Sequence, residues 1–353
     1  MSPERIPEVD GLIRADEVVA TAEAIADWQL PSGMIPWFPG GHSDAWNHVE
    51  AAMALDIGGH RREAERAYDW LLGLQRPDGA WHQYYIVGDD GSLEVEEDKL
   101  DANVCAYVAT GAYHHYLRHK DSGFLETVWP MVEGAIDFVL DLQTPRGEIL
   151  WARHPDGDPW TFALLTGSSS ISHSLRCAIA LAREVGHDRP DWEQSSTALS
   201  RVVATMPDAF APKHRWAMDW YYPVLAGVLA GETGRNHLEA RYETFAADDK
   251  GVRCVSDRPW ITTAETCECA MAYLSVGMED RARELFAHAQ TQRLDDGRYW
   301  TGIVYPQEVH FPAEETSTYS AAAVLLCVEA LAGASPASAL FADHDAVLPP
   351  VGD

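Results

Sequence analysis

One piece of punctuation recurs along this chain: a Gln, then a Gly, then a Trp a few residues later. It reads LQRPDGAW at residues 74–81, WQLPSGMIPW at 28–37, LQTPRGEILW at 142–151 and TQRLDDGRYW at 291–300. Self-similarity with a period of roughly 40 to 70 residues is the mark of one supersecondary unit stacked many times. The stretches before the turns have a helical period. In Arg61–Leu74 the apolar positions Ala64, Ala67, Tyr68, Leu71 and Leu72 are three and four apart. That spacing predicts a one-sided amphipathic helix. Segments 16–29, 124–142 and 280–289 repeat the pattern, and 191–206 and 236–245 follow it less regularly.

Segments of a second kind alternate with these: VEAAMALDI, ANVCAYVATGAY, ISHSLRCAIALA, YYPVLAGVLA, CECAMAYLSV and YSAAAVLLCVEAL. They are apolar nearly all round and rich in Ala, as expected of buried, closely packed helices. The predicted fold is therefore all-α, an (α/α)6 toroid of six helical hairpins with an outer and an inner helix ring. A single domain is predicted over residues 1–334, with 335–353 as a coil-like C-terminal tail of no evident role. Gly or Pro ends each outer helix. The chain then crosses one end of the molecule and enters an inner helix, presenting a Trp on the way: Trp37, Trp81, Trp151, Trp216, Trp260 and Trp300. Units four and five lack the Gln. All six crossings share one end, so function is expected there.

Composition narrows the partners. The net charge of −29 repels phosphate backbones and anionic lipid, which argues against nucleic acid and membrane surfaces. No run of about 18 apolar residues predicts a membrane span, and the charged segment MSPERIPEVDGLIRADE lacks the apolar core of a secretory signal. The expectation is a cytoplasmic protein, with a homodimer compatible with the sequence. The six cysteines lie mostly in apolar helical runs, where thiols pack as small hydrophobes. The lone C-x-C at Cys267 and Cys269 is a weak metal signal without a second pair, so neither metal nor cofactor is expected.

The residues that open the inner helices carry the chemistry. Unit one brings His42, Asp44, Asn47, His48 and Glu50, and unit two Asp98 and Asp101. Unit three brings Ser168 to Ser170 and His173, and unit four Asp219, Trp220, Tyr221 and Tyr222. Glu265 and Glu268 come from unit five, and His310, Glu314 and Glu315 from unit six. Any one of these acids can be a helix cap or a first-turn acid. As a set they exceed what capping needs. Aligning AMAL at 52–55 with AMAY at 270–273 sets Asn47 opposite Glu265 and Glu50 opposite Glu268, at equal depth on two inner helices. The aromatic residues Trp37, Trp46, Trp81, Trp216, Trp220, Tyr221, Tyr222, Trp260 and Trp300 fall in or beside the mouth loops. Some must pack as lids, and the rest offer flat amphipathic walls suited to sugar rings. Glycoside cleavage needs two carboxyls astride the bond, one protonated and one ionised. A crowded acidic cleft can provide both.

With these residues in view, the chain resembles the (α/α)6-barrel glycoside hydrolases over nearly its full length. The Gln-x-x-x-Gly-x-Trp turn also resembles the repeat of terpenoid cyclases and protein prenyltransferase subunits. More narrowly, HSDAWNHVEAAMAL and the six-hairpin build are similar to a group of actinobacterial prenyltransferase-like proteins that includes endo-α-1,4-mannanases. The resemblance implies cleavage of internal α-mannosidic bonds in a neutral, methylated cytoplasmic mannan, without a cofactor, by carboxyls of units one and five. Glu265 and Asp44 form the expected acid/base pair. His42, His48, Asp101, Asp219, Glu268, Glu315 and the aromatic set above are the expected sugar contacts.

Position 47 departs from this pattern, because Asn cannot act as a base or nucleophile. Either Asp44 is the working carboxylate and Asn47 holds a sugar hydroxyl, or this is an inactivated variant with Asn where a catalytic Asp belongs. Three other readings stand beside hydrolysis. Isoprenoid chemistry would need D-D-x-x-D or D-x-D-D motifs, and the doublets Asp89-Asp90, Asp248-Asp249 and Asp295-Asp296 lack the partner acid. Lyase or isomerase chemistry would use His42, His48, His173 or Tyr222 for proton transfer. A non-catalytic glycan-binding toroid would turn nothing over.

Overall fold

The computed structural model describes residues 5–247 and 249–350. The first four residues of the N-terminal segment, Asp248 of one acidic doublet and the last three residues of the tail therefore lie outside the described residues. In chain order the helices are α1 (Ala15–Ala26), α2 (Ala45–Ile57), α3 (Arg61–Leu74), α4 (Ala102–Ala106), α5 (Val108–His119), α6 (Ser122–Leu140), α7 (Leu165–Glu184) and α8 (Pro190–Thr205). They continue with α9 (Met218–Leu225), α10 (Gly231–Glu239), α11 (Tyr242–Phe245), α12 (Thr263–Ser275), α13 (Glu279–Gln290), α14 (Thr318–Ala332), α15 (Ala339–Ala342) and α16 (His344–Val347). The inner ring runs α2, α4–α5, α7, α9, α12 and α14, each packed on the next, and α14 packs back on α2 to close it. Outside lie α1, α3, α6, α8, α10–α11 and α13. The toroid expected from the alternation of helix types is the fold observed.

The recurring turn does more than end a helix. The Gln29 amide Nε2 donates to Gly33 O at 3.0 Å and to Glu63 O of α3 at 2.8 Å. Gln75 does the same to Gly79 O and to Met131 O of α6, and Gln143 to Gly147 O and Ser195 O of α8. Each Gln thus ties its own turn to the outer helix of the following unit. Gly79 sits at φ +87°, and a Cβ there would lie 2.0 Å from Gly134 O. Unit six closes the ring in the same way. A Cβ on Gly297 would meet the Ala20 backbone of α1 at 2.6 Å, and Arg293 reaches Glu17 at 3.2 Å.

Short strands decorate the mouth. β1 (Tyr84–Val87) and β2 (Leu93–Glu97) form an antiparallel hairpin with Tyr84 opposite Glu97. β3 (Leu100–Asp101) pairs with β4 (Ala152–Arg153), and β5 (Ala246–Ala247) with β6 (Gly251–Val252). β7 (Trp260–Thr262), β8 (Gly302–Val304) and β9 (Val309–His310) make a three-stranded sheet.

The segment after Ala334, expected as coil, is largely ordered. It forms a 3-10 turn followed by α15 and α16, and buries Leu340, Phe341 and His344. Tyr113 donates to Val347 O at 2.6 Å and the Arg176 Nε to Pro349 O at 2.7 Å, so this segment stoppers the barrel end opposite the mouth. Leu340, Phe341 and His344 form an apolar-aromatic cluster in the sequence, but four-residue helices are too short to show a period. Among the described residues no single helix is long and apolar enough to cross a membrane, and the six cysteines are buried free thiols.

Candidate active site

The mouth holds a cavity of about 330 Å³. Three of its wall carboxyls, Asp44, Asp101 and Asp219, come from the N-terminal ends of the inner helices of units one, two and four. Between them stand Trp37, Trp46, Tyr84, Trp151 and Trp216, with Val104, Leu164 and Met218 as apolar floor and Lys213 as a lone basic group.

Asp44 caps α2 and is fully buried. Its Oδ1 accepts from Trp46 N (2.9 Å) and Asn47 N (3.0 Å), and its Oδ2 from Trp37 Nε1 (2.7 Å) and Asn47 Nδ2 (2.8 Å). Burial raises its pKa against the pull of those neutral donors. Asn47 therefore orients the Asp44 carboxylate. An Asp side chain in the same place would set two carboxyls within hydrogen-bond distance, and they would have to share a proton. Asp101 caps α4 through Asn103 N and Val104 N, and burial lifts it to about 6. Asp219 accepts from Thr166 N and Oγ1, the latter at 2.7 Å, and is also raised by burial.

A second pair of carboxyls lies beneath the cavity. Glu50 accepts from Trp46 Nε1 at 3.0 Å, and Glu268 accepts from the Tyr221 and Tyr222 hydroxyls, the latter at 2.6 Å. They line one small void with Tyr107 and Ser170. Burial, then mutual repulsion, raises Glu268 well above the carboxylate range, and burial lifts Glu50 to about 7. Glu50 and Glu268 are thus brought together, as the alignment of the two inner helices predicts. Glu265 is half-buried on the first turn of α12, beside the Cys254 thiol. Its charge reaches Tyr319, whose ring packs edge-on against Trp37 at 4.9 Å. Glu265, one half of the expected acid/base pair, is not among the residues that line the cavity.

Several expected sugar contacts sit elsewhere. His48 is buried, accepting from Ile35 N at Nδ1 and donating from Nε2 to Ala67 O, and burial drops it to about 4. It is a core histidine. Trp81 and Trp220 are fully buried, their indole N–H groups donating to Leu71 O and Leu238 O. A mouth-loop position did not distinguish these two from cavity walls, because the ring that closes the core and the ring that faces the ligand are equally apolar. Tyr221 is a buried partner of Glu268, and Tyr222 lines the lower void. His42 stacks on Tyr84 at 4.2 Å and meets Glu96 at 3.1 Å, buttressing the wall from behind. Trp260 donates to Phe311 O, Trp300 stacks on His310 at 3.8 Å, and Glu315 accepts from Thr301. These three belong to the rim around the β7–β9 sheet. His173, considered for proton transfer, lies at the far end under Phe341 with burial lowering it to about 3.

Sequence reasoning missed Gln83, Tyr84, Thr166 and Lys213, and used Trp151 only as a repeat marker. The signal for Tyr84 was present. YYIV and LEVEE flank GDDGS, and alternating residues around such a turn spell a hairpin.

Comparisons with known proteins agree with this geometry. No family model matches the chain. The chain is 47% identical over 340 residues to the MMP endo-(1,4)-3-O-methyl-alpha-D-mannosidase of Mycolicibacterium hassiacum, covering 96% of this chain and 93% of that one. An uncharacterized glycosyl hydrolase of Methanocaldococcus jannaschii is 25% identical over 158 residues, 43% of this chain and 24% of its own length. Among solved structures, a wild-type glycosidase superposes with a TM-score of 0.67 at 12% identity, covering 91% of this chain and 98% of its own. A GH63 mannosylglycerate hydrolase from Thermus thermophilus superposes with a TM-score of 0.63 at 13% identity, covering 88% of this chain and 99% of its own. These two likenesses speak to the fold. Near-complete coverage at 47% identity speaks to descent: the chain belongs to the glycoside hydrolase family of the M. hassiacum mannosidase.

Proposed function

We propose that this glycoside hydrolase cuts internal α-mannosidic bonds of a neutral, O-methylated mannan in the cytoplasm. The observation that carries the reading is the mouth cavity itself. Aromatic walls and an apolar floor suit sugar C–H faces and methyl groups, and carboxyls held by neutral donors stand among them. Strong likeness to an endo-acting mannosidase of methylated mannose supports the substrate class.

Asp44 and Glu265 are the proposed acid/base pair. Asp44 is fixed by four donors, none of them cationic, so its charge remains available to a developing oxocarbenium ion or an attacking water. Glu265 takes the other role, half-buried on the first turn of α12 with its charge acting on Tyr319. A second assignment rests on a specific observation: Asp101 lines the cavity at about 6, a value suited to a general acid near neutral pH. The remaining carboxyl, Asp219, and Asn47 would then hold sugar hydroxyls.

The test is to incubate the chain and its Asn47→Asp variant with methylated and unmethylated α-mannan oligosaccharides and follow products by mass. Cleavage by the unaltered chain assigns the chemistry to Asp44 with Asn47 as its positioning amide. Cleavage by the variant alone would give position 47 the catalytic role. Binding without cleavage by either would point to a glycan-binding toroid.

A further inference from the structure

Asp56, His115 and His119 form a cluster that the hydrolytic reading does not use. It lies where the last turns of α2 and α5 meet, at the barrel end opposite the mouth. Asp56 and His115 are completely buried and His119 nearly so. Three ionisable groups here converge in the closely packed end of two inner helices. Each must be compensated, because desolvating a charge costs several kcal/mol.

The arrangement is convergent. His115 Nδ1 lies 2.7 Å from Asp56 Oδ2, and His119 Nε2 lies 3.0 Å from Asp56 Oδ1. The three ligand atoms, one from each residue, lie within 4.8 Å of one another. Two histidines four residues apart on one helix, opposite one carboxylate, present two imidazole nitrogens and an oxygen to a single point. That is the donor set of a three-ligand zinc-type centre with one open position.

Two further groups fit a bound cation. Among the described residues the Tyr68 hydroxyl is buried without a hydrogen-bond partner, its ring stands edge-on to His115 at 5.9 Å, and the Asp56 charge acts on it. A water in the open position of the centre would give it one. The outer nitrogen of His115, Nε2, also lacks a hydrogen-bond partner and faces Glu65 Oε1 at 3.9 Å. A carboxylate behind a ligating histidine is the usual second contact that fixes its tautomer.

The geometry points to a structural divalent-cation site, of the zinc or cobalt class, at Asp56, His115 and His119. The site stands at the opposite end of the inner helices from the cavity. It is therefore a clamp on α2 and α5 and takes no part in cleavage.

The test uses the full chain, stripped with a chelator and titrated with Co2+ and then Zn2+. The expected result is one ion per chain, a visible tetrahedral Co2+ spectrum that Zn2+ bleaches, and a higher melting temperature with metal. His119→Gln should weaken binding by at least ~100-fold. His119→Cys should bind Co2+ again with a new thiolate charge-transfer band, a change that a merely structural histidine cannot produce. Hydrolytic rates should stay within about two-fold with and without metal. Absence of stoichiometric binding, or binding unchanged in His119→Gln, would overturn the site.

Discussion

The two ends of the barrel treat buried carboxylates in opposite ways. At the mouth and in the void beneath it, Asp44, Asp101, Asp219, Glu50 and Glu268 are held by indole, amide, hydroxyl and backbone donors, and burial pushes all five upward. At the far end, Asp56 meets His115 and His119, and Glu329 meets His114 at 2.6 Å and also Arg118. Despite burial, those basic partners hold Asp56 far below the usual range and Glu329 at about 2. Neutral donors fix a carboxyl in place without cancelling its charge or its proton, which leaves both for chemistry. Cations cancel the charge, which stabilises the fold and ends the group's usefulness as an acid or base. On the proposed assignment, the same side chain is a reagent at one end and a rivet at the other.

Substitutions should separate the two ends. The largest effect is expected from Asp44→Asn or Glu265→Gln, each lowering kcat by about 10³-fold, or ~4 kcal/mol, with little change in melting temperature. Steady-state rates on a methylated α-mannan oligosaccharide, beside a thermal melt, check this. Next comes Glu329→Gln. It removes the buried carboxylate that Arg118 and His114 both contact and should cost about 3–5 kcal/mol of unfolding free energy, measured by urea denaturation. Activity per folded molecule should survive.

The pH dependence of stability should split in the same way. Glu329 is depressed from about 4.5 to about 2, so its contribution is complete above pH 4.5 and fades as pH falls toward 2. Glu50 is raised from about 4.5 to about 7, so its contribution is complete below pH 4.5 and is lost as pH climbs through 7. Each amounts to on the order of 3 kcal/mol. Glu50→Gln should remove the neutral-side loss and leave the acid-side loss intact, as melts from pH 3 to 8 would reveal. A smaller effect is expected from Gln75→Ala, which removes one hydrogen bond within its own turn and one that ties unit two to unit three, and should cost about 1–3 kcal/mol. The smallest is Arg215→Ala at the rim. Its ion pair with Asp257 is solvent-exposed and should move stability by less than about 0.5 kcal/mol.

The toroid was legible because a one-sided stripe and an all-round apolar helix differ in composition, and the two alternate without exception. The end of the barrel that bears the site was legible too, since every Gly-bearing turn must lie on the same side. Depth was harder to read. Asp44 and His48 are four residues apart on one helix, yet the first lines the cavity and the second faces the core. A helix apolar on all sides carries no stripe to say which face is which. The Gln of the repeat was visible as a mark but not as a tie, because its partners lie 34 to 56 residues away. The rivets at the far end were hidden for a similar reason: Glu329 and His114 are 215 residues apart, and neither sits in a motif.

The most direct test of the account compares Asp44→Asn with Glu329→Gln on two readouts, oligosaccharide cleavage followed by mass and thermal melting. The account predicts a crossed result. The mouth variant should melt like the unaltered chain and yield almost no internal fragments, while the far-end variant should melt well below it and cut normally when folded. Normal cutting by Asp44→Asn, or an inactive but fully stable Glu329→Gln, would contradict the division of labour between the two ends.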